Sequence, residues 1–482
     1  MVQEYEAPVV FVSGIFNIIH PGHIRLLRFA RELGRHLVVG VTDDASAGST
    51  ASVPELLRLE SVKSLRFVDE AFLFNGDIKA TLMKLRPNIV VKGREHSMLP
   101  NVETEVLKSF GGKLIFGSGE AFFSSDDLIA NEGTFSTNGI ELPKIFMSRH
   151  GITKERLIKI FDGFSRLKVT VIGDVIIDEY ISCHALGMSQ EDPTVVVTPV
   201  DTERFLGGAG IVAAHASGLG AQSRILSVVG NDEAAKHVRA FLAKYQVHGL
   251  LQTDVGRPTT LKQRYRAGGQ TLLRVSHLQQ GNISSEIQDQ IMERIRESLD
   301  DTDVIIFSDF NYGVLPQSLV DLITVTAKLR GVLLVADSQS SSQIGNIARF
   351  VGMDLITPTE REARLSLRDS DSGLIVLADE LRALANAQTV FLTLGPDGIL
   401  IRGGKNSLIQ DSLTERVEAL NNRPIDVAGG GDSLLVTAAL ALASGATAHE
   451  AALVSSIAAA IQVSRLGNTP LRLAEVKVVI EA

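Results

Sequence analysis

A chain of 482 residues, at about 100–200 residues per domain, holds material for two to four domains with sizeable cores. Its 45% hydrophobic and 21% charged content is that of an ordinary globular protein. The net charge of −9 argues against a nucleic-acid partner and leaves room only for a local basic pocket for anionic substrates. One cysteine, Cys183, excludes an internal disulfide and a cysteine-rich zinc site.

The acidic start, Met1 to Glu6, has neither a basic nor an apolar leader segment. The apolar region Ser433 to Val463 is split by Ser444 to Glu450 into pieces of about a dozen residues, too short for a bilayer. These features predict a cytoplasmic protein without a membrane partner, and two buried helices.

Residues 8–13 form a valine-rich strand. Gly14-Ile15-Phe16-Asn17-Ile18-Ile19-His20-Pro21-Gly22-His23 follows, then a helix with apolar positions Ile24, Leu26, Leu27, Ala30 and Leu33, then a second strand at 36–42. Strand, glycine turn, helix, strand is a βαβ unit, whose ligand lies at the carboxyl end of the strand. His20 and His23 flank the start of the helix, with Pro21 suited to its first turn. Two imidazoles there can hydrogen-bond triphosphate oxygens; a zinc pair or structural histidines are the other readings.

Further on, 88–91 reads as a strand running into Lys92-Gly93, and Pro54 to Phe67 as a helix carrying Arg58. The periodicity fades from Asn131 to about Gly151 into loop composition, a linker. This places a first domain at 1–130, a linker at 131–152 and a second domain at 153–482.

The second domain opens with a strand, Leu167 to Ile172, that ends in Gly173-Asp174. Asp174 and Asp178 are spaced to hold sugar hydroxyls or, more plainly, to cap turns. Gly207-Gly208-Ala209-Gly210 opens an alanine-rich helix. Strands at 304–307, 332–336, 354–356 and 390–393 alternate with helices, notably 315–329 and 377–387, which means a parallel sheet covered on both faces. Glu191 to Phe205 and Thr259 to Val275 have the alternating, β-branched character of a small accessory sheet.

Near the far end stands Asp426-Val427-Ala428-Gly429-Gly430-Gly431-Asp432, leading into an apolar helix. Three glycines let several N–H groups converge on one spot at a helix N-terminus, a seat for phosphate. Asp432 at its lip can take a proton from an attacking hydroxyl, or can serve as an ordinary helix cap.

Gly14 to His23 resembles the G-x-F-[DN]-x-x-H-x-G-H motif of the cytidylyltransferase-like nucleotidylyltransferases, with Asn17 where most members carry Asp. The resemblance implies that His20, His23 and Lys92 stabilise nucleotidyl transfer. It also implies that Gly14, Phe16 and Asn17, with Ser124 and Ser125 of a late serine motif, bind the nucleotide.

The ordered markers Gly173-Asp174, Gly207-Gly208, Ser308-Asp309, Thr393-Leu394-Gly395-Pro396-Asp397-Gly398 and Ala428 to Asp432 resemble the ribokinase-like sugar kinases of the phosphofructokinase B family. That resemblance implies Asp432 as general base and Gly429, Gly430 and Gly431 as anion hole. It implies Gly395 and Gly398 at the nucleotide, Asp174, Asp178, Gly207 and Gly208 at the sugar, and Glu362 organising Mg2+ through water. It further implies a homodimer paired through a β lid.

Gly173-Asp174-Val175-Ile176-Ile177-Asp178-Glu179-Tyr180, Ser189-Gln190-Glu191-Asp192-Pro193 and Leu466-Gly467-Asn468-Thr469 make the whole chain similar to the bifunctional heptose 7-phosphate kinase/heptose 1-phosphate adenylyltransferases, with their domain order inverted. Ile211, Tyr312, Thr359 and Ala428 depart from the kinase motifs.

The expected fold class is α/β, a Rossmann-like nucleotidylyltransferase domain followed by a ribokinase-like doubly wound domain with a small β lid. The expected function is sugar activation: ATP-dependent phosphorylation of a sugar phosphate, then transfer from ATP or CTP to the sugar 1-phosphate. A decayed, sugar-phosphate-binding kinase half, or a polyol-phosphate cytidylyltransferase fused to a kinase, are the alternatives.

Overall fold

The computed structural model describes residues 8–19, 21–93, 101–117, 140–268, 270–340, 344–403, 415–421 and 423–481. The chain divides between Phe135 and Ser136 into two units, with Arg368–Glu380 counted in the first.

The first unit is a five-stranded sheet of β1 (Val9–Gly14), β2 (His36–Thr42), β3 (Glu70–Phe74), β4 (Ile89–Gly93) and β5 (Lys113–Gly117), in the order β3-β2-β1-β4-β5. Every pairing in it is parallel. The helices Pro21–Glu32, Glu55–Lys63, Ile78–Leu85 and Glu103–Lys108 separate the strands. Val9, Phe11, Val38, Leu82, Val90 and Leu107 form a buried core, as expected when a parallel sheet is covered by its crossover helices. The chain leaves β1 towards β2 on one side and later returns to β4 on the other. The switch point therefore falls between β1 and β4, whose carboxyl ends are where such sheets bind ligands.

The second unit has a nine-stranded sheet. Its strands are β6 (Lys168–Gly173), β9 (Gln222–Val229), β10 (His248–Thr253), β13 (Val304–Asp309), β14 (Leu333–Ser338), β15 (Leu355–Ile356), β16 (Thr389–Thr393), β17 (Ile399–Gly403) and β18 (Glu415–Val417). Their order is β10-β9-β6-β13-β14-β15-β16-β17-β18, parallel as far as β16 and antiparallel thereafter. Its switch point falls between β6 and β13. A separate four-stranded sheet, β12-β11-β7-β8, consists of β7 (Val175–Met188), β8 (Val195–Gly208), β11 (Thr260–Ala267) and β12 (Gln270–His277).

The helices Gly430–Ala443 and Ala448–Val463 are buried along most of their length in the unit's core, as their unbroken apolar composition predicts. Among the described residues, no helix is long and apolar enough to cross a membrane.

Three expectations change. The accessory sheet is larger than its sequence signal, because β7 runs 14 residues, its inner half buried on both faces and without alternation. The expected helices 315–329 and 377–387 are Gln317–Lys328 and Leu374–Leu384. The expected linker 131–152 is not all loop: Lys144–Arg149 is a helix whose Phe146 and Met147 join the second unit's core. Six residues are too few to display helical periodicity, yet burying two such side chains contributes roughly 1.5–3 kcal/mol each.

Candidate functional site

In the second unit the carboxyl ends of β14, β15 and β16 face the inner halves of β7, β8 and β11 across a cleft of about 290 Å³. The glycine loop closes one end of it. Asp426 organises that loop: its carboxylate accepts hydrogen bonds from the Ala428 and Gly467 N–H groups, both at 3.0 Å, and from the Tyr180 hydroxyl at 3.2 Å. Gly429 sits at φ 77°, and a Cβ there would run into the amide oxygen of Asn468, so only glycine fits. Gly431 lines the cleft with open space before it, while Gly430 packs on Val463. The helix Gly430–Ala443 begins here, and the N–H groups of its first turn have no partner within the helix.

Asp432 lies in that first turn, 5% exposed, with Oδ1 accepting from Nε2 of Gln339 at 3.0 Å. Burial, and then the nearby Asp178, push its carboxyl up to about 7, against the opposing pull of Lys262 and the Gln339 hydrogen bond. Asp337, at the end of β14, is also raised, by burial and by the Glu362 and Asp432 charges. The cleft wall is therefore acidic around the glycine loop.

The opposite wall is basic. Lys262 and Arg264 reach the cleft from β11, two residues apart on one face. Arg264 pairs with Asp178 at 3.3 Å, and the Lys262 ammonium lies 5.0 Å from the Phe310 ring and 5.2 Å from that of Tyr312.

The structure distributes the expected sugar and nucleotide residues unevenly. Asp178 and Gly208 line the cleft. Gly207 does not, but a Cβ there would strike the Asp178 carboxylate. Asp174 is absent from the lining. It is 2% exposed and closes the β6/β13 switch point by accepting from the N–H groups of Phe310, Tyr312 and Val314 at 2.9, 3.3 and 3.3 Å. Burial and Asp309 nevertheless raise it to about 6.

Gly395 and Gly398, at φ 58° and 86°, form the turn between β16 and β17, and of this turn only Thr393 lines the cleft. Glu362 lines it, yet both its oxygens accept from the protein: Oε1 from Ser340 N–H at 2.7 Å, Oε2 from Thr359 N–H at 2.8 Å and Thr359 Oγ1 at 2.7 Å. Thr359 thus completes a capping box with Glu362. Among the described residues, no three His, Cys, Asp or Glu are grouped to hold a metal ion. Ile211 is fully buried in the core and away from the cleft.

Asn468, in the tail that carries the resemblance, lines the cleft, while Lys262, Arg264, Gln339 and Asp337 have no counterpart in the sequence reading. The alternation Lys262-x-Arg264-x-Arg266 in a strand pattern was the signal for the basic wall.

In the first unit, β1 ends at Gly14 and the chain turns through Phe16, at φ 54° and 4% exposed. Arg58, fully buried, holds this turn by donating to the carbonyls of Ile15, Val53 and Thr42 and to Asp44. Asn17 ties the turn to the 50–53 loop, donating to Thr50 O at 2.6 Å and accepting from Ser52 N–H at 2.8 Å.

His23 Nδ1 lies 3.1 Å from the Ile18 carbonyl, and its ring meets the Phe16 ring edge-on at 5.1 Å. A carbonyl can only accept, so Nδ1 carries hydrogen and donates to it. Lys92 is one residue past the Val12–Val91 pair, which brings it to the same sheet edge as Gly14; it is paired with Glu103 at 2.8 Å. His20, Ser124 and Ser125 lie outside the described residues.

Comparison with known proteins follows this division. Residues 11–110 match the cytidylyltransferase-like family and residues 166–473 the pfkB family of carbohydrate kinases. A protein of Desulfatibacillum aliphaticivorans named bifunctional protein HldE is 32% identical, over 65% of this chain and 63% of its own length. One of the same name from Geotalea uraniireducens is 29% identical, over 67% and 65%. The chain thus spans less than two thirds of the length of these relatives.

Phosphofructokinase-2 from Escherichia coli superposes with a TM-score of 0.53 at 16% identity, covering 65% of this chain and 98% of its own. Arabidopsis thaliana ribokinase does so with 0.52 at 16%, covering 66% and 99%. With the pfkB match extending over well more than half of its residues, the chain belongs to the pfkB family of carbohydrate kinases.

Proposed function

We propose that the protein is a bifunctional sugar-activating transferase. Its second unit moves the γ-phosphate of ATP to a hydroxyl of a sugar phosphate, a heptose 7-phosphate by the chain's resemblance to the heptose 7-phosphate kinase/heptose 1-phosphate adenylyltransferases. Its first unit joins a nucleotide from ATP or CTP to the sugar 1-phosphate with release of pyrophosphate. The observation that carries the reading is Asp432, a buried carboxyl near neutrality set between a glycine-lined helix N-terminus and a basic wall.

Asp432 takes the proton of the attacking hydroxyl, and the Gly429–Gly431 amides and the helix end hold the charge on the phosphoryl group in flight. Lys262 and Arg264 hold the phosphate the sugar already carries. Mg2+, when bound, would neutralise charge on the nucleotide phosphates. Glu362 would hold it through water rather than directly, because both its oxygens already accept from protein donors. In the first unit His23 and Lys92, with His20, stabilise the α-phosphate under in-line attack, and no covalent intermediate is needed.

The outer parts of β7 and β8 carry exposed Leu186, Met188, Val195 and Val200, and we assign them to pairing between two copies of this chain. Light scattering giving a dimer that falls to monomer on Met188→Glu supports this.

The test of the function is a panel of heptose, hexose and pentose phosphates with ATP, reading ADP and pyrophosphate in the same wells. Turnover of a heptose 7-phosphate is the expected result. Pyrophosphate release from supplied sugar 1-phosphates with no ADP formed on any sugar would instead make the second unit a binding module. Preference for glycerol 3-phosphate in the first unit would make it a polyol-phosphate enzyme.

A further inference from the structure

Gln339 follows directly on β14 and its backbone is fixed on both sides: its N–H donates to the Asp309 carbonyl at 2.8 Å, and its own carbonyl accepts from Nδ2 of Asn311 at 3.1 Å. Its side chain lines the cleft and donates from Nε2 to Oδ1 of Asp432 at 3.0 Å. Asp337, at the end of β14, also lines the cleft, and its charge and that of Asp432 repel one another. A carboxylate whose Oδ1 already accepts this bond has Oδ2 left to accept from a ligand.

We propose that Gln339 is a positioning residue for phosphoryl transfer, turning Asp432 so that Oδ2 meets the substrate hydroxyl. The inference rests on the reading of Asp432 as general base.

The charged groups facing Asp432 come from four elements: Asp178 on β7, Lys262 and Arg264 on β11, Asp337 on β14, and Glu362 on the helix Glu360–Leu367. The acids and bases are fixed in position, so a change at residue 339 alters one contact in an otherwise unchanged field. Removing the donor in Gln339→Leu disfavours the carboxylate, while Gln339→Lys places a cation beside it. The two variants therefore shift the proton affinity of Asp432 in opposite directions, which a merely structural role would not do.

The experiment is the pH profile of kcat for ATP-dependent transfer to a heptose 7-phosphate by the full-length chain. The acid limb is expected to move up by about one pH unit in Gln339→Leu and down by about one in Gln339→Lys, with KM little changed. At pH 7 the leucine variant then loses about fivefold in kcat, the fall in the ionised fraction when a group near 7 moves to 8.

A second readout needs no substrate. The stability difference between each protein and its Asp432→Asn counterpart is followed against pH by thermal unfolding, and its upper break is expected to shift in the same two directions. Unmoved profiles and breaks in both variants, with Asp432→Asn inactive, would overturn the role of Gln339 alone. Full phosphoryl transfer by Asp432→Asn would instead overturn the base reading and this inference with it.

Discussion

The two candidate sites share a scaffold, a parallel strand whose carboxyl end meets a helix N-terminus, and differ in how far their reactive groups are withdrawn from water. In the second unit Asp432 is 5% exposed and held up to about 7 by that withdrawal. In the first, the Lys92 side chain is 23% exposed and faces Glu103, and the polar atoms of Asn17 are engaged by the neighbouring loop. Accepting a proton requires a carboxyl whose affinity lies near ambient pH, which burial supplies. Neutralising charge on a phosphate requires groups that stay positive, and deep burial would weaken them. Under the proposed function the same helix end serves either chemistry, and desolvation selects between them.

The largest break in this comparison is expected from Asp432→Asn. It should lower ATP-dependent sugar phosphorylation by on the order of 10²–10⁴, the contribution of a positioned general base, and leave pyrophosphate-releasing activity unchanged. The reverse separation is expected from His23→Ala, which should cost roughly 10²–10³ in nucleotidyl transfer by removing one transition-state donor, with ADP formation intact. Parallel assays of the two activities on each variant decide both. Losses appearing together in both assays would refute independent sites.

A smaller effect falls on substrate binding. Lys262→Met should raise KM for a phosphorylated sugar by about tenfold to a hundredfold, since a hydrogen bond to a charged group contributes roughly 1.5–3 kcal/mol. Its effect on KM for ATP should be slight. An unchanged KM for the sugar phosphate would take the basic wall out of substrate recognition.

Much of this was legible from the chain. The glycine run, the strand-turn-helix at Gly14 to His23 and the alternation of strands and helices carry their structure in local composition, and the structure has strands and helices where they predict them. What composition could not reveal is where side chains point once the sheets assemble. Asp174, expected at the sugar, is aimed at the backbone of the 310–314 loop because three N–H groups at the switch point need an acceptor. Glu362 is held in place although Thr359, three residues before it, departs from the kinase motif, because threonine caps the helix and bonds the Glu362 carboxylate. The basic wall comes from β11, some 170 residues before Asp432, as the difference of the numbers 262 and 432 shows. Only its two-residue alternation marked it in the sequence, and Gln339 carried no mark at all.

A further effect, and the most diagnostic, is on stability. A carboxyl raised in the folded chain from 3.8 to about 7 is disfavoured in its charged form by folding. Below pH 4 both folded and unfolded chains carry the proton on Asp432, and the site has no such cost. Between about 4 and 7 the unfolded chain ionises while the folded chain does not, so the cost grows, and above 7 it reaches a plateau on the order of 4 kcal/mol. An asparagine side chain has no proton to lose in this range. The Asp432→Asn protein should therefore match the parent near pH 4 and melt roughly 8–16 °C higher at pH 8 in the transition of the second unit, at about 2–4 °C per kcal/mol. Thermal unfolding at pH 4, 6 and 8 measures this. A difference independent of pH would mean that the substitution changes packing rather than charge, and would remove the electrostatic contrast between the two sites.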